Sequence, residues 1–271
     1  MARSDPDKTE AASAASAVAS DLAHFILTAM VPGTHLPSEA ELASRYAVSR
    51  LTVREAVKLL EGRGLVEIAR GRKATVREPD GSAFTDFLAA IIHNDAKGVF
   101  DLVEVRLSLE VQSATLAAKR ANRAGLAAIE GALAEMRAAA QRAVAGEDRD
   151  ACERDFNLAD VGFHEAIALS SGNRILSYLF EAMAGPLAEG FFISRRGSLA
   201  RGQTLDDTID AHQRVLDAIR QGNGRLAGDA MRNHLKDTMR DIRVAVSELG
   251  GNLPPASAGP KSLAAARRIA E

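Results

Sequence analysis

The sequence has 271 residues, a formal net charge of −2 and a hydrophobic content of 46%. This length favours two domains, and the composition is that of a globular protein. No window approaches about 18 uninterrupted apolar residues, and the N-terminal stretch lacks the pattern of a secretory signal, so we expect no membrane partner. With Cys152 as the single cysteine, no disulfide can form within the chain, which fits a cytoplasmic location.

The charge is concentrated in one segment of the chain. Between Arg45 and Arg77 there are nine basic and three acidic residues, so the remainder of the chain is acidic. A basic segment on an acidic body indicates a local contact with a polyanion.

The first elements follow from helix caps and breakers. Residues 1–14 are small and polar and are expected to form a flexible tail. A first helix is predicted at 15–30, because a Pro-Gly pair follows it. Ser38 and Glu41 form an S-x-x-E capping box, which predicts the start of a second helix.

A third helix and a basic hairpin come next. Ser49 is a suitable N-cap for a helix at 50–60. Short strands are predicted at 65–68 and 74–77, with a basic turn at 70–73 between them. Three helices followed by a two-stranded hairpin are the arrangement of a winged helix-turn-helix.

This arrangement predicts binding to double-stranded DNA. The start of the third helix would face the bases of the major groove, and the hairpin, or wing, would reach the backbone or the minor groove. The alternative is that the arginines only solvate an exposed helix, but the order of capped helix, tight turn and basic hairpin favours DNA. The predicted DNA-binding residues are Ser49, Arg50, Thr52, Arg54, Arg70, Arg72 and Lys73.

Residues 36–76, LPSEAELASRYAVSRLTVREAVKLLEGRGLVEIARGRKATV, resemble the DNA-binding domain of the GntR family of bacterial transcription regulators. The matching pieces include LPSE, ELA, VSR, VREA and the wing ending in TV. The resemblance implies that Ser49, Arg50, Thr52 and Arg54 contact operator DNA. Two positions depart from it: Ala40 stands where many members have a DNA-contacting arginine, and Lys73 stands where the wing usually has glycine. Operator detail is therefore expected to differ.

The second half of the sequence shows helical patterns alone. A linker and a short apolar helix are expected at 80–97, and a second flexible tail at 251–271. Because neither a strand pattern nor a GxGxxG motif is found, an antiparallel helical bundle is expected at 98–250, after the winged helix-turn-helix at 15–79. The predicted fold class is mainly α. The helices of the bundle are predicted at 100–121, 124–145, 156–170, 174–195, 205–221 and 224–249.

Four polar residues fall on apolar stripes of this bundle. Asp160 and His164 lie four residues apart on one helical face, which favours either a buried Asp–His hydrogen bond or half of a metal site. His212 and His234 lie on two later helices, and each by itself would be a satisfied core histidine. Together the four favour one site for a divalent metal, with zinc first and nickel or manganese as alternatives.

This half resembles the FCD effector domain, which defines the FadR-type branch of the GntR family. The resemblance rests on R-x3-E from Arg106, on D-x3-H-x-A-I-x3-S-G-N from Asp160, and on two downstream histidine motifs. It implies that the four polar residues bind the metal and that a small carboxylate is the effector, with Arg106 as its contact. It also implies a homodimer on palindromic operator DNA, acting as a repressor. The alternative for Arg106 is an i,i+4 ion pair with Glu110.

Two other roles are compatible with an Asp/His3 site. A metal-dependent enzyme could use it to activate water, but no separate general base is evident and the DNA-binding half would have no purpose. The metal could also be purely structural. We therefore expect a ligand-responsive transcription regulator and not an enzyme.

Overall fold

The computed structural model describes residues 6–69, 72–78, 82–92 and 96–248, which form two compact units, Met1–Ala83 and Phe84–Glu271. Within those ranges the strands are β1 (Val66–Glu67) and β2 (Thr75–Val76). The helices there are α1 (Pro6–Ala29), α2 (Glu39–Tyr46), α3 (Arg50–Gly62), α4 (Ser82–Ile92), α5 (Ala96–Arg120), α6 (Arg123–Val144), α7 (Arg149–Ser170), α8 (Arg174–Ala200), α9 (Leu205–Arg220) and α10 (Gly224–Glu248).

The first unit is a winged helix-turn-helix. The predicted capping box at Ser38 and Glu41 is formed at the start of α2, and Ser49 caps α3. β1 pairs antiparallel with β2 in a register that sets Val66 opposite Val76. Both valines are buried in a core that α1, α2 and α3 close with apolar side chains such as Leu22. The wing is thereby fixed to the recognition helix by hydrophobic burial.

The largest differences from the predicted helix boundaries are the early starts of two helices. The first starts at Pro6, so it occupies part of the stretch 1–14 that was expected to be a tail. The run of alanines after residue 10 explains this, since alanine has the highest helix propensity. The helix that carries Asp160 starts at Arg149, where Asp148 caps its first turn. The predicted tail at 251–271 lies outside the described residues.

The second unit is all-helical, which confirms the predicted fold class. α6 packs against α7, and α10 packs against α5, α8 and α9. Asn122, Asp148, Asn173 and Thr204 each accept backbone N–H groups at a helix start. These caps satisfy donors that a helix cannot satisfy itself. None of the described helices is long and apolar enough to cross a membrane.

α8 and α10 approach each other most closely at a glycine. A Cβ atom added at Gly197 would lie 1.8 Å from the carbonyl oxygen of Asp241. Only a residue without a side chain can occupy this position while the two helix backbones keep their separation. The contact positions the part of α8 that lines the functional cavity described below.

Candidate functional site

Four polar side chains from three helices meet inside the second unit. Asp160 and His164 project from α7 one turn apart, His212 projects from α9 and His234 from α10. All four are buried, although a carboxylate and three imidazoles lose hydration there. The structure thus brings together the four residues that the sequence predicts as a metal site.

Their ligating atoms converge on one point. His212 Nε2 lies 2.7 Å from Asp160 Oδ1 and 3.3 Å from His164 Nε2. One nitrogen from each of the three histidines lies within 4.8 Å of the other two. His234 Nε2 is buried and has no hydrogen-bond partner among the described residues. A buried acceptor or donor of this kind needs a partner that the protein itself does not provide.

The outer edges of two imidazole rings are held by further contacts. His212 Nδ1 lies 2.8 Å from the carbonyl oxygen of Thr208, to which it can donate. His164 Nδ1 lies 2.5 Å from Glu110 Oε2, and Arg106 Nε donates to the other Glu110 oxygen at 2.5 Å. The Nε2 atoms of both rings therefore face the interior of the cluster. Metal-binding histidines are oriented in this way by carbonyl and carboxylate partners.

The electrostatics of the cluster favour a cation. Burial raises the pKa of Asp160, but the imidazoles beside it lower the pKa well below its usual range. Burial also raises the pKa of Glu110, yet the charge of Arg106 and the contact with His164 bring it down to about 2. Burial and the neighbouring imidazoles lower the pKa of His234 well below its usual range. An ionised Asp160 and a neutral His234 are forms that bind a metal. Burial lowers the pKa of His164, but the neighbouring Glu110 and Asp160 raise it above its usual value, so a metal would have to displace a proton from this ring.

The geometry fits a first-row metal ion. A four-coordinate metal holds nitrogen ligands at about 2.0–2.1 Å, which places neighbouring ligand atoms about 3.3 Å apart. The separation of 3.3 Å between the Nε2 atoms of His164 and His212 matches this spacing. The donor set suits such an ion. It consists of the facing Nε2 atoms of His164 and His212, the Asp160 oxygen beside them and the unpartnered Nε2 atom of His234.

A cavity of about 200 Å³ reaches the cluster, and both Asp160 and His234 form part of its wall. On α8, Arg195 contributes a half-buried guanidinium to the same wall. Its Nε and Nη1 atoms are buried and have no hydrogen-bond partner among the described residues. The further polar lining residues are Asn157, Ser194, Ser198, Gln203, Asp207, Thr208, Asp210, Arg214, Asp237, Thr238 and Asp241.

Arg106, the predicted effector contact, is placed elsewhere. Its side chain is only 2% exposed, and its guanidinium lies 4.7 Å over the ring of Phe191. Two of its nitrogens face Glu110, so it forms the ion pair that the sequence offered as the alternative. Arg106 is not among the described residues that line the cavity.

The first unit carries a second candidate site, a basic groove of about 580 Å³ between α3 and the wing. Arg50 and Arg54 line it from the recognition helix, and Arg72 and Lys73 line it from the wing. Arg54 is held by Glu39 at 2.7 Å, with both side chains largely exposed. The four cations thus share one concave surface, while the predicted Arg70 lies outside the described residues.

The remaining predicted DNA contacts lie at the start of the recognition helix. Ser49 Oγ accepts the backbone N–H of Thr52 at 3.0 Å and lies 2.8 Å from its hydroxyl. Both side chains are on the exposed end of α3. They can therefore cap the helix and still present oxygen atoms to a phosphate or a base.

Sequence reasoning missed the roles of two members of the buried site. Glu110 was predicted only as an ion-pair partner of Arg106, one turn away on the same helical face. Its contact with His164 on α7 depends on helix packing, which no local pattern reports. The sequence does not distinguish Arg195 from its neighbour Arg196, although the structure half-buries Arg195 and exposes Arg196.

Comparison with known proteins identifies a known domain family in each half of the chain. Residues 14–76 match the family described as bacterial regulatory proteins of the gntR family, and residues 101–237 match the FCD domain. The chain is 33% identical over 205 residues to the HTH-type transcriptional regulator LutR of Bacillus subtilis, covering 75% of this chain and 89% of that protein. It is 34% identical over 217 residues to the galactonate operon transcriptional repressor of Escherichia coli, covering 79% and 89%.

A solved structure also has this architecture. The chain of Streptococcus agalactiae GntR superposes with a TM-score of 0.61 at 28% identity, covering 83% of this chain and 99% of that one. The relatives are transcription regulators and not enzymes. The chain belongs to the GntR family of bacterial DNA-binding transcription regulators, in the FadR-type branch that carries an FCD effector domain.

Proposed function

We propose that this regulator is a repressor that senses a small carboxylate in its FCD domain and then releases DNA. The observation that supports this most directly is the convergence of Asp160 with His164, His212 and His234 at the wall of a polar cavity. A closed core would not need an unpartnered histidine nitrogen beside an opening. A ligand site explains both features.

Asp160, His164, His212 and His234 would hold the metal, with zinc as the first candidate and nickel or manganese as alternatives. When bound, the metal supplies a Lewis-acidic position that can accept an oxygen of the effector. Glu110 and the carbonyl of Thr208 fix two of the rings and keep their inner nitrogens available. The contact between Arg106 and the effector stays a prediction, and the edge of Arg106 that holds Glu110 is not available for it.

A homodimer would present two recognition helices to a palindromic operator. In each half-site, Ser49, Arg50, Thr52 and Arg54 would contact bases or phosphates. Arg72 and Lys73, with the predicted Arg70, would contact the neighbouring backbone from the wing. The ion pair between Arg54 and Glu39 is exposed, so exchanging it for a contact with DNA costs little.

The relative that acts on a galactonate operon suggests the class of effector. Galactonate combines a carboxylate with several hydroxyl groups. The cavity wall offers the guanidinium groups of Arg195 and Arg214, which can bind a carboxylate, and hydroxyls, amides and aspartates, which can pair with hydroxyl groups. Effector binding would change the spacing of the two DNA-binding units of the dimer, and a small change in spacing weakens binding to two fixed half-sites.

A DNA-binding titration tests this proposal. Zinc-loaded protein would be titrated onto DNA from upstream of its own gene, with fluorescence anisotropy as the readout, in the presence of galactonate, gluconate, L-lactate or glycolate. We expect one of these acids to weaken binding about 5- to 150-fold. Arg50→Ala provides a control, since it should lose about 1–3 kcal/mol of operator affinity whether or not acid is added.

Repeating the titration with metal-free protein, and measuring its melting temperature, separates a sensing metal from a structural one. If metal removal lowers the melting temperature while the acid response persists, the metal only holds the bundle together. If none of the four acids changes operator affinity in zinc-loaded protein, carboxylate sensing is wrong.

A further inference from the structure

The guanidinium of Arg195 has an unusual environment for a half-buried cation. It projects from α8 into the cavity wall that also contains Asp160 and His234. Its Nε and Nη1 atoms are shielded from solvent and have no hydrogen-bond partner among the described residues. Leaving charged N–H donors buried and unpaired costs free energy, so such donors normally have a partner.

The nearest acidic groups are already engaged with other arginines. Glu153 and Asp241 are the carboxylates whose charge acts on Arg195. Glu153 accepts a hydrogen bond from Arg149 at 3.2 Å, and Asp241 accepts one from Arg201 at 2.6 Å. Three arginines therefore share two carboxylates, and Arg195 is the one whose donors are left over. The Nε and Nη1 donors of Arg195 can therefore pair with an anionic group inside the cavity.

Arg195 also borders a second, wider groove. This groove of about 870 Å³ lies outside the cavity and is bordered by α6, α7, α8 and α9. Arg195, Gln203 and Asp210 line both the groove and the inner cavity. Arg195 therefore borders both the groove and the cavity that contains Asp160 and His234.

We propose that Arg195 binds the carboxylate of the effector, and that the effector is a hydroxylated acid. Arginine presents parallel N–H groups that match the two oxygens of a carboxylate. This inference rests on the proposed carboxylate sensing and names the side chain responsible for it. Arg106 cannot take this role with the nitrogens that hold Glu110, whereas the donors of Arg195 are free.

The remaining wall specifies the hydroxyl groups of the effector. Asn157, Ser194 and Thr238 supply amide and hydroxyl groups, and the pair of Ser198 and Gln203 adds a further polar edge. A plain aliphatic acid would make no hydrogen bonds with these groups, so it would bind more weakly than a hydroxylated acid. A hydroxylated acid can pair with them while its carboxylate lies against Arg195.

The inference is tested by calorimetric titration of full-length, zinc-loaded protein. The probes are galactonate, gluconate, L-lactate and glycolate, with galactitol and propane-1,2-diol as uncharged analogues. For each acid that the unchanged protein binds, Arg195→Gln should weaken the affinity at least about tenfold, because a charged hydrogen-bonded pair is lost. Its zinc content should stay the same. Arg196→Gln, one position along α8 and exposed, is the matched control and should bind as the unchanged protein does.

The discrimination between acid and alcohol gives a second readout, which a structural role of Arg195 would not alter. The unchanged protein and Arg196→Gln should prefer galactonate to galactitol, and Arg195→Gln should lose most of this preference. Arg195→Lys keeps the charge without the paired N–H groups, so it should restore part of the affinity.

The possible outcomes distinguish the role of Arg195 from carboxylate sensing itself. If the unchanged protein binds an acid and Arg195→Gln binds it equally well, the role of Arg195 is wrong while carboxylate sensing stands. If the unchanged protein binds none of the acids, both ideas fall together. If Arg195→Gln does not fold, Arg195→Lys decides: affinity reduced several-fold supports the inference, and unchanged affinity overturns it.

Discussion

At the scale of the single residue, Glu110 links two functions of the buried cluster. One oxygen accepts a hydrogen bond from Arg106 and the other lies beside His164 Nδ1. The three side chains are almost fully buried, so charge on any one of them must be balanced by the others. Glu110 therefore both stabilises the cation on α5 and orients a metal-binding ring on α7.

Replacing Glu110 by glutamine should affect both functions. Arg106 would become an uncompensated buried cation, which lowers the free energy of unfolding by about 3–5 kcal/mol. His164 would lose its carboxylate partner, which weakens metal affinity about 10- to 100-fold. Urea denaturation and competition with a fluorescent zinc chelator measure the two effects. Glu104→Gln, at an exposed position of the same helix, should change neither, and zinc affinity unchanged by Glu110→Gln would contradict the orienting role.

The residues that the sequence could predict are those with a local signature. The spacing of Asp160 and His164 places both on one face of a helix, and the S-x-x-E pattern at Ser38 specifies a capping box, so both are readable along the chain. Arg195 has no such signature. Its proposed role follows from the burial of its Nε and Nη1 atoms and from the hydrogen bonds that Glu153 and Asp241 accept from other arginines. Only the packed structure shows these contacts.

At the scale of the element, the packing of α8 against α10 depends on a missing side chain. Gly197→Ala would place a Cβ atom against the carbonyl of Asp241, so the two helices would have to separate. The expected cost is about 1–3 kcal/mol or more of unfolding free energy, as for other overpacked cores. Alanine normally stabilises a helix relative to glycine, so a lower free energy of unfolding in Gly197→Ala would identify the clash.

Gly131 in α6 is the matched control for this substitution. An alanine Cβ atom there would meet nothing within 4 Å. Gly131→Ala should therefore raise the free energy of unfolding by up to about 1 kcal/mol through helix propensity alone. Urea denaturation of both variants gives the comparison, and a Gly197→Ala protein as stable as the parent would show that the helices can move apart freely.

Element boundaries were less predictable than element types. The sequence predicted the helices from caps, breakers and apolar periodicity, but it placed the start of α7 at residue 156, where the apolar stripe becomes dense. The helix instead starts at Arg149, because Asp148 accepts two backbone N–H groups and sets the first turn. A cap contributes as much to a helix start as a hydrophobic face does, and it is harder to recognise within a polar stretch.

At the scale of the whole molecule, the proposed regulation requires two binding sites to influence one another. The basic groove belongs to the first unit and the histidine cluster to the second. If binding of a carboxylate weakens operator binding by some factor, operator binding must weaken carboxylate affinity by the same factor. This equality follows from thermodynamics and does not depend on how the change is transmitted.

The reciprocal effect can be measured directly. Calorimetric titration of an active acid such as galactonate into zinc-loaded protein should give an affinity about 5- to 150-fold lower when operator DNA is saturating. DNA of scrambled sequence should have a much smaller effect, because it binds weakly through phosphate contacts alone. Arg50→Ala binds the operator more weakly by about 1–3 kcal/mol, so it should need a correspondingly higher concentration of operator DNA before acid affinity falls. If the acid releases operator DNA but operator DNA leaves acid affinity unchanged, the release arises at another site, and the cavity beside Asp160 and His234 is not the sensor.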